Sequence, residues 1–294
     1  MKSALLTGVL LLQGIPTQTA SSPSPWLEVD RVLDQPGKEQ PGGVHRFSWP
    51  RTDLKVLVDG VTLEPALALG SWAAFGRMGG EAQVMGDLVL TGAEVAPVVG
   101  ALQDGGFEIL AIHNHLINEV PRLLYVHYDG RGDARKLAQV LKAALGRSAT
   151  PLAPRPVAGP PKTSPEQERL FAALTQSVGR KGTVAGRVLA FGIPRAETIR
   201  DGGMDVSPAM GMAIAVNFQA AGDRVATTGD FVLVADEVNP VMRELRAHGI
   251  EPTALHSHML RETPRLFFLH FWGVDTPEKI GAGIRAALAK VATK

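Results

Sequence analysis

Apolar stretches at Lys55–Val58, Leu67–Phe75 and Ala82–Leu90, broken by Gly60, Gly70, Gly79-Gly80 and Gly92, predict strands separated by turns. The spacing then becomes helical. Val95, Val98, Val99 and Leu102 predict a helix over Ala93–Gln103, which Gly105-Gly106 stops. Two further apolar runs, Phe107–Ile117 and Arg122–Asp129, flank a turn at Asn118–Val120 and predict an antiparallel hairpin. Asp133 is placed to cap a helix over Ala134–Leu145, whose Leu137, Val140, Leu141 and Ala144 form an apolar stripe.

The same order of strands, helix, hairpin and helix returns from about Gly186. Its helix is Glu237–Ala247, its hairpin Ile250–Leu260 with Arg265–Trp272, and Pro277 opens its last helix at the favoured first position. Short helices, Trp26–Leu33 and Glu166–Ser177, precede the two copies. The repetition is literal: between Met85–Tyr128 and Thr228–Phe271, 19 of 44 positions are identical without a gap, at a constant offset of 143. Helices beside antiparallel strands predict an α+β layer fold, with two homologous halves, 26–145 and 166–294, each a sheet with helices packed on one face. Duplication further predicts a pseudo-twofold relation between them. The copies have diverged in places, because Trp72 and Tyr128 are matched by Ala215 and Phe271.

Residues 146–165 hold six prolines in twenty residues, which predicts an extended linker between the halves. At the other end, Lys2, the apolar run Ala4–Leu12 and the small and polar residues Thr17–Ser22 read as a secretory signal over 1–22, cleaved near Ala20 or Ser22. The apolar run is shorter than the roughly 20 residues a membrane span needs. The expected setting is therefore periplasmic or secreted, with no stable membrane anchor after cleavage. With 30 basic and 29 acidic side chains, the net charge of +1 supplies no electrostatic footprint for nucleic acid. The absence of cysteine excludes thiolate ligands, thiol nucleophiles and disulfides, so any metal is held by nitrogen and oxygen.

Six of the eight histidines lie in the repeated block: His113, His115 and His127, then His256, His258 and His270. Residues two apart on a strand share a face, so His113 and His115 point the same way, and pairing arithmetic across the hairpin sets His127 close to opposite His113. Leu110, Ile112 and Leu116 are expected on the other face, against the helices, as are Leu255 and Met259. Three imidazoles converging from neighbouring strands suit a transition metal, zinc or copper first, with an open position for water or ligand. Glu119 and Glu262 are candidate ligands or general bases. A zinc-bound water is acidic enough to make hydrolysis accessible near neutral pH. Arg122 and Arg265 are candidates to clamp an anionic substrate, or to pair with the glutamates.

Other readings stand beside this one. The sites can serve a non-catalytic carrier or sensor of a metal or small ligand, or the rings can form a metal-free structural layer. One site in each half, or one composite site, is equally compatible with the duplication. Asp87 and Asp230, each after a glycine at a strand entrance, read as turn chemistry, and Pro50-Arg51 and Pro194-Arg195 as structural.

The spacing His113-x-His115-x3-Glu119 with the later His127 resembles the cupin metal motif, whose family binds metals through three histidines and a glutamate. Cupins are nearly all-β, so the resemblance concerns the metal and not the fold. Over most of the chain, Pro50-Arg51-Thr52-Asp53-Leu54, Gly70-Ser71-Trp72-Ala73-Ala74-Phe75, Gly86-Asp87-Leu88-Val89-Leu90 and Ala111 through His115 with Pro121-Arg122 resemble the LppY/LpqO family of secreted bacterial proteins. That resemblance implies an extracytoplasmic setting and no established activity. The family's named members are lipoproteins, whereas this chain has no cysteine to carry a lipid.

Overall fold

The computed structural model describes residues 25–152 and 163–294. The expected signal segment, 1–22, and the core of the expected linker, 153–162, lie outside the described residues.

Each half builds one six-stranded antiparallel sheet. In the first, β1 (Lys38–Gln40), β2 (Val44–Pro50), β3 (Gly70–Met78), β4 (Glu81–Thr91), β5 (Glu108–His113) and β6 (Leu123–Gly132) lie in the order β1-β2-β3-β4-β6-β5. In the second, β7 (Thr183–Ala185), β8 (Val188–Pro194), β9 (Ala213–Ala221), β10 (Arg224–Leu233), β11 (Glu251–His256) and β12 (Phe267–Asp275) lie in the order β7-β8-β9-β10-β12-β11. The topologies are identical, so the α+β expectation of two like halves holds. The helices are α1 (Leu27–Leu33), α2 (Gly92–Asp104), α3 (Ala134–Leu145), α4 (Pro165–Val178), α5 (Ala235–Ala247) and α6 (Pro277–Leu288). Asp133 caps α3, its carboxylate accepting from the Lys136 amide at 2.9 Å.

Strand alternation decides what each sheet face meets. Along β4, Val84, Leu88 and Leu90 enter the core beneath α2 and α3, with Val98, Leu102 and Leu141. The alternate residues face the other half: Met85 joins the second core, and Val89 joins a cluster shared by both halves. The two sheets therefore lie inside and the helices outside. Fully buried arginines pin each sheet to a helix. Arg51 donates to the Val89 carbonyl at 2.7 Å and to Glu94 at 2.8 Å, and Arg195 donates likewise to Val232 and Glu237. Glu94 and Glu237 in turn accept from the amides that open α2 and α5.

The halves also reach across each other. The segment after β2 places Val56, Leu63, Leu67 and Leu69 against Val188, Ala226 and Trp272, while Asn217 and Gln219 of β9 donate to Leu67 and Thr62 carbonyls. Reciprocally, the segment after β8 receives Arg46 on the Ala209 carbonyl and Arg131 on Asp201.

Several boundaries depart from expectation. β5 stops at His113, and a bulge between Ile109 and Ala111 shifts its register. Ile109 lies on the helix side, Leu110 packs on the second core and Leu116, beyond the strand, joins the shared cluster. Ile112 and Leu255 stand exposed on edge strands, at 50% and 47%, while Met259 is buried. Instead of a simple hairpin turn, Glu119–Val120 pairs with Leu57–Val58 in a small separate sheet, and Val120-Pro121 and Thr263-Pro264 are cis. Leu67 lies in a one-turn helix, Pro65–Ala68, ahead of β3. β2 was not expected as a strand: His45, Arg46 and Ser48 obscure its apolar alternation. Among the described residues, no helix is long and apolar enough to cross a membrane.

Candidate metal centre between the halves

The site begins with a pairing in register. Asp87 of β4 lies opposite His127 of β6, and Asp230 of β10 lies opposite His270 of β12. Directly opposed residues share a face, here the one turned to the other half. The preceding glycines allow the close approach. A Cβ on Gly86 would lie 2.3 Å from the Trp72 carbonyl oxygen, and one on Gly229 would lie 2.0 Å from that of Ala215. The glycine carbonyls then orient the imidazoles: His127 Nδ1 donates to Gly86 O at 3.2 Å and His270 Nδ1 to Gly229 O at 2.9 Å. Such bonds set the tautomer and leave each Nε2 with a free lone pair, as in histidines that ligate metals.

The ends of β5 and β11 add the other four rings. His113 pairs in register with Tyr125, and Ala111 with His127, two residues away from the pairing arithmetic. The rings still converge, with His113 4.9 Å from His127 between centroids. They also interleave across the halves: His113 to His256 is 3.6 Å, His127 to His258 3.6 Å and His115 to His270 3.8 Å. Tyr125 and Phe268 back His115 and His258 at 3.4 Å. Asp87 Oδ2 lies 3.5 Å from His115 Nε2 and 3.8 Å from His127 Nε2. Asp230 lies 3.4 Å and 4.0 Å from His258 and His270. The cluster draws its rings from both halves, and within it Asp87, His115 and His127 of the first half and Asp230, His258 and His270 of the second also form one three-donor set each.

Burial dictates its charge state. It lowers His256 to about 4 and His270 to about 3, and holds His113, His115, His127 and His258 well below the usual imidazole value. Neighbouring imidazoles add to the lowering everywhere except His256. Burial likewise raises Asp87 to about 7 and Asp230 well above the usual carboxylate range. The rings are neutral and carry lone pairs, yet those lone pairs lack partners. Of nine buried side-chain polar atoms without a hydrogen bond among the described residues, seven belong here, on Asp87, His113, His115, His127, Asp230 and His258. His256 Nε2 and His270 Nε2 meet at 2.9 Å while the Nδ1 of each faces a carbonyl. Four sets of side chains bring candidate ligand atoms within 4.8 Å of one another: His113, His127, His256 and His258; His113, His115 and His270; Asp87, His115 and His127; Asp230, His258 and His270. These groups can hold a metal ion.

The family described as Domain of Unknown Function (DUF1259) matches residues 27–147 and again 172–290. The chain belongs to that family, with two repeats. No curated protein matches it. A solved structure, the trimeric bacterial microcompartment shell protein PduB, aligns at 11% identity over 87% of this chain and 89% of its own, with a TM-score of 0.22.

Within the two DUF1259 repeats, the glutamates of the His-x-His-x3-Glu spacing do not join the cluster. Glu119 accepts from the Leu123 amide, and Glu262 from the Leu266 amide at 2.9 Å, so each carboxylate turns inward to the loop that follows. Arg265 pairs with Glu262 and with Ser257, and Arg122 is exposed. The carboxylates that do converge are Asp87 and Asp230, which read in the sequence as turn residues. The signal that could have found them is their identical separation from His127 and His270, forty residues in both copies. A cleft of about 980 Å³ opens onto the cluster, reaching Asp87, His115, His127, Asp230, His258 and His270. On its first-repeat wall, the Arg46 guanidinium lies 3.9 Å over the Trp72 ring and donates to Ala209 O. The corresponding positions of the second repeat are Ala190 and Ala215.

Proposed function

We propose that this chain is an extracytoplasmic metal-dependent hydrolase, acting through a composite transition-metal centre on a small anionic molecule bound in the cleft between the repeats. The observation that carries this is the set of seven buried, unpartnered polar atoms on converging histidines and aspartates. Buried lone pairs without donors are costly, and a cation supplies what they lack. An all nitrogen and oxygen donor set, rich in imidazole, suits zinc or copper. When bound, such an ion supplies Lewis acidity. The cleft supports turnover, because it gives a small molecule access to the donors.

Arg46 supports an anionic ligand. Burial lowers its pKa to about 10, and among the described residues no carboxylate lies within ion-pair distance of it. A half-buried guanidinium at a cleft wall, bonded to a carbonyl and stacked on Trp72 with no carboxylate beside it, is suited to a carboxylate or phosphate group. Asp87 and Asp230 take the roles first assigned to Glu119 and Glu262, as ligands or as a proton-accepting base. The resemblance to the LppY/LpqO family and the leader-like residues 1–22 support the extracytoplasmic setting, and the cupin-like spacing remains an analogy for metal binding alone. Nucleic acid and membrane partners have no support in the charge balance.

The carrier reading rests on one observation of its own: His113, His127, His256 and His258 by themselves offer four nitrogens within 4.8 Å of one another. The deciding experiment is elemental analysis of the mature, tag-free protein beside a His113/His115/His127→Ala triple variant. Metal in the wild type and its complete loss from the variant is the expected outcome. Loss of half would contradict a composite centre, and no metal after reconstitution with zinc or copper would refute the metal reading. Perturbation of the cobalt(II) spectrum by added phosphate would then separate the hydrolase, with an exchangeable position, from a saturated carrier.

A further inference from the structure

The cluster offers more donors than one ion can use. Six imidazoles and two carboxylates converge, whereas zinc and copper centres take about four to five ligands. Assigning one ion to His113, His127, His256 and His258 leaves His115 Nε2 and the Oδ1 atoms of Asp87 and Asp230 unserved, and draws the His256 nitrogen away from His270 Nε2, which it meets at 2.9 Å. His115 and His270 form a second set, again with His113.

His113 is therefore common to both sets, and it is unusual in another respect. Both of its ring nitrogens are buried and without a hydrogen-bond partner, whereas Nδ1 of His127, His256 and His270 each faces a backbone carbonyl. Among the described residues, nothing fixes its tautomer. A ring with both nitrogens bare, lying between two sets of donors, has the form of a bridge.

Resting on the metal reading above, we propose that the cluster is a dinuclear centre in which His113 joins two ions. One is held with His127, His256 and His258, the other with His115 and His270. Asp87, near both His115 and His127, and Asp230, near both His258 and His270, complete the coordination. Ligation by both nitrogens of one imidazole breaks its remaining N–H bond, and that proton passes to solvent as the second nitrogen–metal bond forms. The partner ring at the equivalent position, His256, keeps its Nδ1 turned to the Ser257 carbonyl at 3.3 Å and so is a ligand to one ion only. The bridge is thus a place where the two copies differ.

The test is copper(II) titration of the full mature chain, with bound copper measured by elemental analysis and the spins by electron paramagnetic resonance. Two equivalents per chain with a spin count well below the copper count, the sign of coupling through a bridging ring, is expected. His113→Gln, checked for folding by circular dichroism, should restore a full uncoupled signal from whatever copper it retains. One equivalent at saturation would overturn the dinuclear centre while leaving the metal reading intact. Two equivalents with a full spin count in the wild type would place the ions apart and overturn the bridge. No copper at all would overturn both readings, so the two failures are distinguishable without relying on the variant.

Discussion

Asp87 and Glu119 are both buried carboxylates of the first repeat, but their surroundings give them different work. Asp87 faces two imidazoles, whereas Glu119 holds the amide of the next strand through one oxygen; each keeps its other oxygen without a partner among the described residues. Asp87→Asn is expected to weaken metal affinity by about 10- to 100-fold, the range for groups that support or complete a metal shell. Glu262→Ala should leave metal content unchanged and cost about 1–3 kcal/mol, because the buried Leu266 amide loses its acceptor. Elemental analysis beside urea melts separates the two. Arg51→Ala should cost about 3 kcal/mol in the same melts by stranding Glu94 and Asp53, with metal content retained. At this scale the sequence was informative about histidines, since repetition at constant spacing marks them out. It was misleading about the acids: Gly86-Asp87 has the local signature of a turn, and only pairing across forty residues turns it inward.

The elements owe their positions to a few close approaches. Gly86 lies where β3, β4 and β6 crowd, and a methyl group added there would meet the Tyr128 hydroxyl at 2.1 Å and the Trp72 carbonyl at 2.3 Å. Gly86→Ala is therefore expected to push β4 from its neighbours, lowering the thermal midpoint and metal content together, since the same glycine's carbonyl orients His127. An unchanged metal content in a stable variant would contradict that link. Helices were legible within a residue or two because caps and glycine stops are local chemistry, as at Asp133 and Gly106. Strand β5 was overextended because the residues past His113 bond to the other half, Asn114 to the Thr253 carbonyl and the Thr253 hydroxyl to the His115 carbonyl, and a single segment does not reveal such partners. Strand β2 was invisible for a related reason: Arg46 belongs to the cleft and His45 to a pair of acids, Asp30 and Glu39, so its polar residues serve tertiary partners.

For the whole molecule, burying six imidazoles couples stability to pH. His256 and His270 bind protons near 4 and 3 when folded, against about 6.5 in an unfolded chain. Between those values the unfolded state holds more protons, so stability rises with pH there and is lost on acidification below about 6.5. Asp87, raised to about 7, acts in the opposite sense between its ordinary value and 7, as does Asp230. Six lowered histidines outweigh two raised aspartates. The metal-stripped protein is therefore expected to melt at lower temperature at pH 5 than at pH 7, by differential scanning calorimetry. A higher midpoint at pH 5 would contradict neutral, buried rings. The duplication was legible from the sequence and the face-to-face sheets were not, because contact between repeats leaves no periodic mark in either.

The Arg46–Trp72 pair, matched in the second repeat by Ala190 and Ala215, has a consequence for what the cleft can distinguish. Two identical subunits around a twofold would present a bound molecule with two equivalent walls, and it could lie in either of two directions. Joined in one chain and allowed to differ, the walls define a head and a tail. On the proposed reading, a molecule with one charged end would lie along the cleft in a single direction.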